Sequence, residues 1–66
     1  MRPEEKFEFL KALLERGAEV RTFYKPRQVV AVERVWERRV LIKYADGGVD
    51  KMHITDFARR RFVVVL

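Results

Sequence analysis

The chain has no cysteine, no serine and no asparagine, and His53 is its only histidine. Without cysteine, disulfides and thiolate metal sites are both excluded. Without serine or cysteine the commonest activated nucleophiles are missing. A lone imidazole cannot form a two-histidine metal site. The three glycines do not spell a phosphate-cradling loop, and no pair of carboxylates is marked out by its neighbours. Catalysis is therefore not expected, and neither is a metal, a cofactor or a small-molecule substrate. No segment approaches the roughly 20 apolar residues of a membrane span, so no membrane partner is expected. The opening Met1-Arg2-Pro3-Glu4-Glu5 is charged, unlike a secretory signal. The expected location is the cytoplasm.

What is present is dense apolar and ionic material. At 66 residues the chain has room for one domain, residues 1–66, with a small core that needs tight packing or self-association. Apolar residues make up 48% and charged residues 38%. Glutamate and arginine dominate the charges, and Gln28 is the sole side-chain amide. That bias fits a heat-adapted source. The charge is unevenly placed. Residues 1–17 carry four basic and four acidic side chains, whereas residues 18–66 carry eleven and six. The whole excess of +5 lies in the second segment, which points to a polyanionic partner. The competing reading is an ordinary solvated surface.

Residues 3–16 are predicted to form a helix. Pro3 suits the first helical position, Glu4 and Glu5 favour the positive end of the dipole, and Gly17 follows as a residue able to take positive φ. Phe7, Leu10 and Leu14 form an apolar stripe that Phe9 and Leu13 widen. From residue 19 onward valine, isoleucine and aromatic residues predict five strands, about 19–24, 28–36, 39–45, 48–54 and 61–65. Lys25-Pro26-Arg27 separates the first two strands and Glu37-Arg38 connects the second to the third. Asp46-Gly47 supplies positive-φ residues to a hairpin, and Thr55-Asp56-Phe57 reads as a 3₁₀ turn.

Alternation places Val40, Ile42, Tyr44, Met52 and Ile54 on an inner face. Arg39, Lys43, Lys51 and His53 fall on an outer face, along with Leu41 and Val49. The second strand is apolar on both sides over Val29–Val32. It is expected to be covered twice, with the helix as one lid. Of Phe23 and Tyr24, one is expected to face inward. Short antiparallel strands and the need to hide sheet edges predict a closed or nearly closed barrel. The apolar Phe62-Val63-Val64-Val65-Leu66 must then pair inside it or at a dimer interface. The fold class is α+β, mostly β: an N-terminal helix and a five-stranded antiparallel barrel.

The stretch from Val40 to Phe57, with an aromatic at Tyr44, then Asp46-Gly47-Gly48, then a strand running into a short helical turn, resembles the third and fourth strands of Tudor-like and other SH3-like small barrels. Val20 to Val35 fits their first two strands, so the resemblance covers residues 19–66. It implies a binding module rather than an enzyme, with nucleic acid, methylated peptides, RNA polymerase or ribosomal partners as the range of ligands. Tyr24 and Tyr44 match positions of a methyl-cation cage, but a basic domain repels the basic tails such cages hold.

Nucleic acid, DNA or RNA, is thus the leading expected partner. The candidate phosphate-binding residues are Arg39, Lys43, Lys51, Arg59, Arg60 and Arg61. Tyr44 and Trp36 are candidate stacking groups. The competing reading of Arg59–Arg61 is a solvated turn. Trp36, taken alone, is expected to plug the core, and His53 reads as a surface contact. The alternative function is a protein-interaction module docking through the helix or the last strand on a larger partner or in a homodimer.

Overall fold

A computed structural model describes residues 1–65. The elements, in chain order, are α1 (Pro3–Glu15), β1 (Glu19–Thr22), β2 (Gln28–Trp36), β3 (Arg39–Tyr44), β4 (Val49–His53), α2 (Ile54–Arg59) and β5 (Phe62–Val65). The connector after β4 is therefore a short α-helix rather than a 3₁₀ turn. It holds because His53 sits at its N-cap, where Nδ1 accepts from the Thr55 amide at 3.2 Å. At the other helix, the Glu5 carboxylate accepts the Arg2 amide at 3.3 Å. The end of α1 is a Schellman cap. Gly17 adopts φ 85°, its amide reaches the Leu14 carbonyl, and the Ala18 amide reaches that of Leu13.

All five strands form one antiparallel sheet in the order β4-β3-β2-β1-β5. The sheet is open, with β4 and β5 at its two edges, which corrects the expectation of closure. The physical reason is cover. Both helices lie on the inner face and bury it, so the strands need not curl onto one another. Phe7 and Leu10 of α1 and Ile54 and Phe57 of α2 join Val20, Val29, Val32, Val40, Ile42, Tyr44 and Met52 in one core. Phe57 packs edge-on to Phe7 at 5.9 Å and against Phe62 at 5.5 Å. Lys6 ties the helices together by donating to the carbonyls of Ala58 (2.9 Å) and Arg60. Burial there pushes its ammonium pKa down.

The parity of β3 and β4 is as the alternation predicted: Val40, Ile42, Tyr44, Met52 and Ile54 are all buried. Strand β2 differs. Its register to β3 slips at Val30 and again at Val35, two bulges that each place one extra residue on β2. The first turns both Val29 and Val32 inward, so this strand is covered on one side only and Val30 is exposed. The second restores the original parity beyond Val35. Between them Arg34, opposite buried Val40, points inward at the margin of the core. Its guanidinium lies 5.1 Å from the Phe7 ring and pairs with Glu4.

Three further expectations are corrected. Phe9 remains 54% exposed because the core takes the Phe7–Leu10–Leu14 side of α1. Both Phe23 and Tyr24 face solvent: Phe23 alternates with inward Thr22, and Tyr24 lies beyond the end of β1. The β3–β4 hairpin uses positive φ only at Gly47 (90°). It is a three-residue loop closed by the Tyr44 amide on the Gly48 carbonyl at 2.9 Å. Strand β5 pairs along its length with β1 and leaves its other edge unpaired among the described residues. Leu66 lies outside the described residues.

Candidate nucleic-acid interface

The outer face of the sheet is built from three rungs that cross β2, β3 and β4. The register places Trp36 opposite Arg39 and Arg39 opposite His53. The next rung is Glu33, Leu41 and Lys51, and the last is Ala31, Lys43 and Val49. Cross-strand neighbours of this kind have Cβ atoms about 4.5–5.5 Å apart, so Trp36, Arg39 and His53 share one continuous surface. Trp36 is 68% exposed. The structure thus corrects the expectation that it plugs the core. A single bulge in β2 would have turned it inward; the pair of bulges keeps it outside.

The candidate cations differ in what already holds them. Lys43 is paired with Glu33, and Arg60 approaches Asp50 at 3.6 Å. Arg39, Lys51, Arg59 and Arg61 have no acidic partner among the described residues. Arg38, in the β2–β3 turn, is likewise without one and is exposed, although its carbonyl accepts the Ile54 amide at 2.6 Å. The unpaired cations fall into two groups. Arg39 adjoins Trp36 on the outer face, with Lys51 one rung further along β4 and Arg38 in the neighbouring β2–β3 turn. Arg59 and Arg61 stand with Phe23 and Tyr24 at the opposite, hairpin end. Along β3 alone, from Arg39 to Tyr44, that separation is about 17 Å at 3.3–3.4 Å per residue.

Tyr44 does not present a face for stacking. It is 4% exposed, Arg27 covers its ring at 3.7 Å, and its hydroxyl donates to Asp50 at 2.6 Å. Burial and then that bond push its pKa up to about 12. Arg27 is itself held by two 3.0 Å bonds to Asp46. The bonds raise the Arg27 pKa and, with the Gly48 amide, lower that of Asp46. Tyr44, Arg27, Asp46, Asp50 and Arg60 therefore form a closed polar clamp around the hairpin. His53 spends Nδ1 on α2, with Thr55 Oγ1 also 2.9 Å away.

Reading the sequence expected one of Phe23 and Tyr24 to be free and missed that both are exposed beside Arg61. Alternation from Val20 through Thr22 turns Phe23 outward, but it would turn Tyr24 inward; Tyr24 is exposed because β1 ends at Thr22. No His, Cys, Asp and Glu grouping among the described residues has the geometry to hold a metal ion. No described helix is long and apolar enough to cross a membrane. No family model, curated protein or solved structure matches this chain.

Proposed function

We propose that this protein is a cytoplasmic, non-catalytic nucleic-acid-binding module that works through the outer face of its sheet. The observation that carries the reading is the exposed Trp36 set directly beside the unpaired Arg39. Arg38, Arg39 and Lys51 neutralise phosphates, and the Trp36 ring stacks on an unpaired base. That combination suits a single strand bound with little sequence preference. The SH3-like relationship belongs to the same proposal. Its supports are the five-stranded antiparallel sheet, the Asp46-Gly47-Gly48 hairpin and the helical turn that follows β4.

Trp36 is the only tryptophan, so its own fluorescence reports the site. Titration with single-stranded oligothymidylate is expected to quench it. Neutralising about three phosphates gives a log–log salt slope of about −2 for a single strand. Binding that is unchanged from low to moderate salt would overturn the electrostatic mechanism.

A second reading, a protein-interaction module, is favoured by one observation. Exposed Phe9 lines a mainly apolar groove of about 460 Å³ with Leu10, Ala58, Phe62 and Val64, which Lys6, Arg59, Arg60 and Arg61 also line, next to the unpaired edge of β5. In this reading the groove and edge dock on a second copy or a larger protein. Sedimentation at high concentration tests the self-association form, and a strict monomer excludes it.

A further inference from the structure

The hairpin end of the sheet holds a notch of about 460 Å³, lined by Thr22, Phe23, Tyr24, Arg59, Arg60 and Arg61. Its aromatic wall is exposed to an unusual degree for such large side chains: Phe23 is 54% and Tyr24 77% accessible. The loop that carries them is fixed from below. The Thr22 hydroxyl accepts the Arg27 amide at 2.9 Å and lies 3.4 and 3.3 Å from the carbonyls of Tyr24 and Lys25. Lys25 takes the strained left-handed value φ 49° within it. Structure is thus spent on holding two aromatic rings in water, where neither adds to the core.

The basic wall is equally distinctive. The guanidinium of Arg60 is drawn aside to Asp50, while Arg59 and Arg61 have no acidic partner among the described residues. The Arg61 guanidinium rests 4.6 Å from the Phe23 ring, and the Lys25 ammonium 5.5 Å from that of Tyr24. Cations without counter-charges beside exposed ring faces are the two components of single-strand recognition, phosphate neutralisation and base stacking.

We propose that this notch is a second nucleotide subsite, taking a phosphate between Arg59 and Arg61 and a base against Tyr24 or Phe23. The inference rests on the nucleic-acid reading of the outer face and extends it. One single strand long enough to span the sheet engages Trp36 at one end and the notch at the other.

The test compares thymidylate oligomers of about 4 and about 16 nucleotides, the limits of site size for small single-strand-binding barrels. Binding is followed by Trp36 fluorescence and, separately, by anisotropy of a dye on the oligomer. In the Tyr24→Ser/Arg59→Ser variant, affinity for the longer oligomer is expected to fall ~10-fold or more, as loss of one stacked base and one phosphate contact implies. Quenching of Trp36 by the shorter one is expected to stay as in the native chain. Both substituted side chains are exposed and outside the core, and an unchanged melting curve confirms folding. Amide shifts at residues 23–25 and 59–61 on adding the longer oligomer are the direct counterpart. Native-like binding of the longer oligomer by the variant, or amide shifts confined to other residues, overturns the subsite. Absence of Trp36 quenching with retained, variant-sensitive anisotropy would instead overturn the outer-face reading and leave the notch standing. No binding of either oligomer by the native chain overturns both.

Discussion

Arg34 and Arg39 sit on adjoining strands within one rung of each other, yet they do different work. Arg34, turned inward by the first β2 bulge, roofs the Phe7 ring, pairs with Glu4 and donates to the Glu37 carbonyl. Arg39 points outward, with Trp36 on one side and His53 on the other and no acidic partner among the described residues. The same contrast divides the two faces of the sheet. On the inner side every buried side-chain polar atom among the described residues has a hydrogen-bond partner. On the outer side several charges have none. Formal charge alone does not identify a binding surface. What does is charge the fold leaves uncompensated.

Substitutions can break this contrast or sharpen it. The largest effect belongs to the inner face. Phe57→Ala removes a fully buried ring that contacts both Phe7 and Phe62, and is expected to cost about 3–5 kcal/mol in a urea melt. Next comes Trp36→Ala. It is expected to weaken single-strand binding by about 1–3 kcal/mol while changing stability by less than about 0.5 kcal/mol. A comparable loss of stability would mean that Trp36 is a structural residue after all.

The two arginines give a smaller, reciprocal pair. Arg34→Ala is expected to lower stability by about 1 kcal/mol, through lost cover of Phe7 and the Glu4 pair, and to leave binding unchanged. Arg39→Ala should leave the melt unchanged and reduce the salt slope of binding by about 0.7. Equal effects on both properties from either variant would erase the distinction between the faces.

The subtlest test is silent at neutral pH. In a Tyr24→Phe background only Tyr44 remains to form a phenolate, and its absorbance should titrate near 12. Its folded pKa lies above the ordinary value of about 10, so the folded state holds that proton more tightly. The resulting stability is complete below about pH 10 and is lost as pH rises toward 12. A midpoint near 10 would show that the Arg27 lid does not exclude water from the ring.

Much of this arrangement was legible beforehand where local rules suffice. The α1 boundaries follow from Pro3 and Gly17, and the burial of Val40, Ile42, Tyr44 and Met52 from strict alternation. The outward position of Arg39, Lys43 and Lys51 follows from the same alternation. Legibility failed on β2, where a bulge is a property of pairing between strands and leaves no mark in a valine-rich run. It failed again at Arg27, which covers the Tyr44 ring from a loop remote in sequence. Lys43 looked as available as Lys51 until Glu33 of the neighbouring strand was placed beside it.

The amino-acid sequence by itself determined the places of α1 and the five strands, the inner faces of β3 and β4, and the confinement of net charge to residues 18–66. These depend on periodicity, capping and composition, which act over a few residues. Only the tertiary structure decided that the sheet stays open, because two helices bury its inner face. It also decided which cations are already paired and that Trp36 stands in solvent. Those outcomes depend on cross-strand register and on contacts between distant segments, and both arise only when the chain is folded.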